Sequence, residues 1–181
     1  MPINFYIMLG EALVILFELR ALMQSSSIDY YNNITQAVIK LTEPLIKYLP
    51  FRSKQVFGFY YAGFVVATVI SLAFWAIIMS IYAAGFIDIL SLVIISLLMV
   101  VKSFGYLVLC LLLAQALTSW LPSTRNLSYT LSVLTHPIVA PVQKIIPPIG
   151  MIDISLMIVM LVIFALNRLA YSIFGMNWAI L

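Results

Sequence analysis

The sequence is poor in the residues that usually carry chemistry. It holds one Cys and one His in 181 residues, with nine basic and six acidic side chains. A single cysteine excludes an internal disulfide and any CxxC redox or zinc motif. A single imidazole cannot by itself build a metal site. No HExxH, no nucleophile–base set and no phosphate-binding glycine loop stands anywhere in the chain. Enzyme activity is not expected, and neither is a cofactor. The net charge of +3 and pI near 9.0 are spread along the chain, so no basic stripe forms and direct nucleic-acid binding is not expected either.

What is present is apolar. The hydrophobic fraction is 65% and the charged fraction 8%, against roughly 45–50% and 25% in an ordinary soluble domain. A soluble chain of this size could not hide so much apolar surface. The composition is that of an all-α integral membrane protein. Cys110 stands inside an apolar run and is expected as a packed, unreactive thiol.

A helix needs about 20 mostly apolar residues to cross a bilayer. Four segments qualify, at about 4–23, 57–84, 103–121 and 154–174. The first has no Lys or Arg ahead of it and lacks a small-residue cleavage signal, so it reads as a retained span and not as a signal peptide. Between the second and third lie the apolar residues 89–101, bounded by Asp88 and Lys102. That run is short for a span and suits an interfacial or re-entrant segment. Fusion with the third span would give a helix of about 50 Å, too long for the hydrocarbon without strong tilt. Breaks are therefore expected near Gly85 and Gly105.

Lys40, Lys47, Arg52 and Lys54 stand in loop 24–56, and Arg125 and Lys144 in loop 122–153. The excess of positive charge puts both loops in the cytoplasm and both termini outside. Trp120, Tyr30 and Tyr31 then fall near the inner interface.

The chain also repeats itself. Leu41-Thr42-Glu43-Pro44-Leu45 answers Leu134-Thr135-His136-Pro137-Ile138, and Asn33-Ile34-Thr35 answers Asn126-Leu127-Ser128, both 93 residues on. Lys47-Tyr48-Leu49-Pro50 answers Lys144-Ile145-Ile146-Pro147 after four extra residues, 140–143. Two tandem helical hairpins result, a first repeat at 1–84 and a second at 103–181, joined by an interfacial linker at 85–102. Copies of two spans each face the same way, an arrangement usually built about an axis along the membrane normal. In the loops, Ile34, Val38, Leu41 and Leu45, and likewise Leu127, Leu131, Leu134 and Ile138, recur in steps of 4, 3 and 4. Each set makes one face of an amphipathic helix, suited to the membrane interface, to packing on its own spans, or to both. Prolines 122, 137, 141, 147 and 148 argue that 135–150 is an extended connector and not one helix.

The second loop resembles the YggT (YlmG) family of small bacterial membrane proteins. The resemblance rests on Ser119-Trp120, on Thr135-His136-Pro137-Ile138 with Pro141, on Gln143-Lys144 and Pro147-Pro148, and on Gly150 and Asp153-Ile154-Ser155. It extends over essentially the whole chain, the first copy being the more degenerate. The family's basic pair is Gln143-Lys144 here, and its usual Asp before Pro137 is His136. The resemblance implies an inner-membrane protein without an established enzyme activity. Relatives are linked with osmotic-stress tolerance, with cell division or nucleoid distribution and, in plastids, with haem attachment to cytochrome b6.

Charges inside spans are costly and default to functional candidates. Glu11 and Glu18 share a face of the first span. Glu11 and Arg168 lie at similar depths, about 10 and 9 Å from the outer ends of their helices, so either the two pair, or Arg168 snorkels outward and Glu11 is protonated. Glu18 should reach towards the inner headgroups beside Arg20, and Lys102 should snorkel outward. Gln115 and Asn167 are candidates for hydrogen bonds between helices. His136 is expected as a surface-loop residue. The function these features suggest is a non-catalytic membrane scaffold or assembly factor, touching lipids and other membrane proteins. The alternative is a small channel or transporter, which would need a homo-oligomer to enclose a pore.

Overall fold

The computed structural model describes residues 3–26, 28, 33–56, 58–82, 88–119, 121, 124–146 and 153–181. The elements in chain order are α1 (Ile3–Ser25), α2 (Asn33–Ile46), β1 (Gln55–Val56), β2 (Phe59–Tyr60), α3 (Ala62–Tyr82), α4 (Ile89–Ser119), α5 (Arg125–Gln143), α6 (Ile154–Phe174) and α7 (Met176–Ala179). The chain is all-α apart from the two-residue strands, which pair antiparallel with Gln55 opposite Tyr60 and Val56 opposite Phe59. Gly58, at φ +84°, supplies the left-handed residue that so tight a turn requires.

α3, α4 and α6 are long and apolar enough to cross a membrane. α1 is of similar length but carries Glu11, Glu18 and Arg20. It lies against both α3 and α4, and α4 also receives α5 and α6. α1 and α3 approach each other closely. A Cβ on Gly63 would lie 2.5 Å from the backbone oxygen of Phe17 and 2.8 Å from the Cβ of Ala21, so only glycine lets the two helices meet there. Across α3 and α4, the buried Ser71 hydroxyl donates to the Ser96 carbonyl at 3.0 Å, and Trp75 Nε1 approaches Met99 Sδ at 3.1 Å.

α4 corrects one expectation. The segment 89–101 is not separate, and the helix runs unbroken through Lys102 and Gly105 for 31 residues. At 1.5 Å per residue that is roughly 46 Å, longer than a bilayer's hydrocarbon core of about 30 Å. Packing explains the continuity. Ile95, Leu98, Met99 and Val100 join one core cluster with α1 and α3, while Val108 and Leu112 join another with α5 and α6. Asp88 caps the helix start, accepting from the amides of Leu90 and Ser91 at 3.3 and 3.1 Å. Gly85 lies outside the described residues.

α5 corrects another. Pro137 and Pro141 lie inside this helix, which continues to Gln143, so the extended connector expected over 135–150 is absent from at least 135–143. The prolines are four residues apart and so share one side of the helix, which confines the missing amide donors to one face. Pro44 sits inside α2 in the same way. A third correction concerns Cys110, which is exposed on α4 instead of packed within the bundle.

The amphipathic stripes are only partly buried. On α2 the inward face is Thr35, Val38, Thr42 and Ile46, while Ile34, Leu41 and Leu45 are exposed. On α5 the inward face includes Leu131, Leu134, Thr135 and Val139. Val38, Thr42 and Ile46 stand 93 residues before Leu131, Thr135 and Val139, and all six are buried. The Thr hydroxyls behave alike too, each donating to the carbonyl four residues back, at 2.7 Å to Val38 and 3.0 Å to Leu131.

Candidate functional site

Three polar places interrupt the apolar bundle. The first is Glu18, fully buried between α1 and α4. Its Oε1 accepts from the Ser103 hydroxyl at 2.8 Å, and its Oε2 has no hydrogen-bond partner among the described residues. Glu18 therefore turns into the bundle and not outward beside Arg20. Arg20, two residues on, turns instead to α2 and pairs with Glu43 at 3.2 Å. That contact ties the first loop helix to α1, and its partner could not be named from sequence because 23 residues separate the two.

Of the two alternatives for Glu11 and Arg168, the pair does not form. Among the described residues Arg20–Glu43 is the ion pair present. Arg168 is exposed on α6, its guanidinium 5.9 Å from the Tyr171 ring centre. The cation within electrostatic reach of Glu11 is Lys102. Equal depth was a poor guide because α6 packs on α4 and α5, not on α1. Lys102 does not snorkel either. It is buried, and its Nζ donates to the Trp178 carbonyl at 2.9 Å. The short helix α7 thus folds back over the middle of α4, which nothing in the sequence pattern signalled.

The third place is a cleft of about 410 Å³ between the end of α1, the last turns of α4, and α5. It gathers Ser26, Gln115, Ser132, Thr135, His136 and Gln143. The Gln115 side-chain amide and the Thr135 hydroxyl are in hydrogen-bond contact, the helix-to-helix contact expected of Gln115. Asn167 makes its own with α7, accepting from Trp178 Nε1 at 2.8 Å. At the cleft's edge, Gln143 Nε2 donates to Asp153 Oδ2 at 2.7 Å, while Asp153 Oδ1 caps α6 by accepting from the Ser155 amide at 3.0 Å. Asp153 thereby joins the end of α5 to the start of α6. A second basic residue at position 143 could not make this amide-to-carboxylate bridge in the same form.

The structure therefore brings Thr135, His136, Pro137 and Asp153 to one end of the bundle, with His136 exposed. Pro141 and Lys144 are exposed at the last turn of α5, whose C-cap Lys144 amide bonds to the Ala140 carbonyl. Trp120, Pro147, Pro148 and Gly150, with Tyr30 and Tyr31, lie outside the described residues. Sequence reasoning missed Ser103, Ser26 and Trp178. Each acts through a partner far along the chain, and none belongs to a motif. Among the described residues no three His, Cys, Asp or Glu side chains converge as metal ligands do.

Apolar helices of spanning length, packed around buried polar contacts, define a small multi-helix membrane protein. Its second half, residues 94–174, matches the family model described as CCB3/YggT. The YggT protein of Escherichia coli K12 is 31% identical over 160 residues, covering 82% of this chain and 78% of the relative. An uncharacterized protein of Haemophilus influenzae is 29% identical over 171 residues, covering 94% and 90%. A Vibrio alginolyticus protein described by its place in the proC 3′ region is 29% identical over 162 residues, covering 88% of each. The chain belongs to the YggT family. No solved structure gives a significant match.

Proposed function

We propose that the chain is a non-catalytic scaffold or assembly factor of the bacterial inner membrane. In this reading α1, α3, α4 and α6 cross the bilayer as two parallel hairpin repeats, with both termini outside. α2 and α5 form a platform on the cytoplasmic side. The shared burial of Val38/Leu131, Thr42/Thr135 and Ile46/Val139 supports the repeat. The excess of basic residues in the two loops supports the orientation.

The observation that carries the scaffold reading is the outer side of α2. Leu41, Leu45 and Tyr48 are 66%, 52% and 76% exposed, beside the exposed Lys40 and Lys47. The equivalent α5 position to Leu41 is Leu134, only 3% exposed. At this position the first loop helix leaves open what the second buries, whereas Ile145, the counterpart of Tyr48, is exposed as well. An apolar ridge flanked by lysines fits the interface with anionic lipid and the flank of another membrane protein. Osmotic-stress tolerance, cell division and membrane-complex biogenesis are the processes such a platform would serve.

A small oligomeric channel is the second reading, favoured by one observation, the unpartnered Oε2 of the buried Glu18. A growth assay under osmotic stress, in a strain that depends on this chain, separates the two. Leu41→Ser with Leu45→Ser abolishes rescue if the platform acts, while Glu18→Gln leaves it intact. The reverse pattern, with protein levels unchanged, supports the channel and removes the platform.

A further inference from the structure

A cavity of about 390 Å³ opens between α4, α6 and α7, lined among others by Lys102, Tyr106, Asn167, Arg168, Tyr171 and Trp178. None of its lining residues is acidic. Lys102 lies with its Nζ 5.6 and 5.7 Å from the Tyr106 and Trp178 ring centres. The Trp178 carbonyl takes one of its three N–H groups. Arg168 makes no hydrogen bond or ion pair with the described residues, and its recorded contact is with the Tyr171 ring. Asn167 spends its carbonyl oxygen on Trp178, which leaves its amide NH₂ as a donor. Two cations, an amide donor and two phenols therefore converge, and Glu11, the acid that interacts electrostatically with Lys102, lies outside the lining.

The cavity's place in the bundle narrows the ligand. Arg168 and Tyr171 lie about 9 and 5 Å from the C-terminal end of α6, the depth of the boundary between headgroups and acyl chains. From Arg168, steps of 4 and 3 lead to Phe164, at the middle of α6, and then Leu161 on the same face; Met157, four residues further, continues that face into the other half of the helix. These are 58%, 65% and 54% exposed. A donor-rich pocket thus continues into an open apolar track pointing to the bilayer centre.

We infer that this cavity binds the phosphate of an anionic phospholipid, with one acyl chain lying along Phe164 and Leu161. Arg168 and Lys102 provide the charge, and a guanidinium suits phosphate oxygens better than a point charge does. The inference concerns this cavity alone and holds whichever way the chain faces across the membrane.

The test is native mass spectrometry of the full chain released from nanodiscs of phosphatidylglycerol and phosphatidylcholine in equal amounts. The wild-type chain should retain one phosphatidylglycerol in preference to phosphatidylcholine by roughly tenfold, as expected for charge-assisted hydrogen bonds. Arg168→Gln should remove most of that preference and Arg168→Lys should keep part of it. Because Arg168 is exposed and bonded to no other side chain, its variants leave the fold intact, and their thermal unfolding checks this. Lys102→Gln serves as a second variant where it remains folded. Equal retention of both lipids by wild type, or unchanged preference in Arg168→Gln, overturns the proposal. So does inorganic phosphate that displaces phosphatidylglycerol and stabilises wild type but not Arg168→Gln, since the site would then serve the free anion.

Discussion

The hydroxyl of Ser103 on α4 donates a 2.8 Å hydrogen bond to Oε1 of Glu18 on α1, and both residues are wholly buried. This is the polar link across the centre of the bundle, where α1 and α4 run side by side. Removing only the donor strands a carboxyl group whose other oxygen already lacks a partner. Ser103→Ala should therefore destabilise the protein by about 1–3 kcal/mol. The double change Ser103→Ala with Glu18→Leu should regain most of that loss, because replacing both partners by apolar groups is close to neutral. Thermal unfolding of the single and double variants in one detergent checks this. A double variant no better than Ser103→Ala would show that the pair is not an isolated unit.

Three glycines should respond differently to alanine. At Gly63 the new Cβ meets the backbone of α1 at 2.5 Å, which cannot move without separating the helices. Gly63→Ala should cost about 1–3 kcal/mol, the usual range for overpacking. At Gly10 the nearest atoms belong to the Phe74 ring, at 2.8 Å. A ring can turn away, so Gly10→Ala should cost less. At Gly105 the nearest atom is 3.9 Å away, and alanine should stabilise the helix by up to about 1 kcal/mol. Ranking the three melting temperatures tests the prediction, and a loss at Gly105 as large as at Gly63 would contradict the continuous path of α4.

The contrast at Gly105 shows what could be read from the sequence and what could not. The apolar runs made α3 and α6 legible, because helices in lipid must be both long and free of charge. They also divided α4 wrongly at Lys102. A lysine in an apolar run looks like a boundary, and here it is buried by the Tyr106 ring one turn on in α4 and by the carbonyl and ring of Trp178, which α7 brings from 76 residues away. The prolines of α5 misled in the same direction, since a helix packed on α4 tolerates two missing donors on one side. The loop stripes gave the right register for Val38 and Leu131 but not which of their apolar neighbours stay outside. Glu18 stood out as a buried acid, whereas its partner Ser103 carried no signal of its own. The polar end gathering Thr135, His136 and Asp153 was legible as a motif. The Gln143–Asp153 bridge, where the family pattern has a second basic residue, was not.

The start of α4 should depend on pH in one direction. The Ser91 hydroxyl, followed by the amides of Ser91 and Leu90, holds the Asp88 carboxyl below its ordinary value of 3.8. A lowered folded value means that the cap contributes fully above that pH and is lost as pH falls through the lower folded value. Protection of the Leu90 and Ser91 amides, taken as the ratio of intrinsic to observed exchange rate, should hold down to about pH 4 and fall below it. Asp88→Asn should show no such transition. Protection already lost near neutral pH would rule the cap out.

The four-span reading makes a prediction about sidedness. In a Cys110→Ser background, Asn4→Cys and Met176→Cys should react with a membrane-impermeant maleimide from outside intact cells. Lys54→Cys should react only after the membrane is opened. All three positions are exposed in the fold, so accessibility depends on the membrane alone. Labelling of Asn4→Cys from the same side as Lys54→Cys would show that α1 does not cross.

The scaffold account is tested most directly by asking what accompanies the protein in its own membrane. The tagged chain, at native expression level, is isolated in polymer-bounded membrane discs without detergent, and the co-isolated proteins are quantified by mass spectrometry. The account predicts a membrane protein partner in near-stoichiometric amount, lost when Leu41 and Leu45 are both changed to Ser and retained in Glu18→Gln. Recovery of the chain only with copies of itself, unchanged by the α2 substitutions, would contradict it.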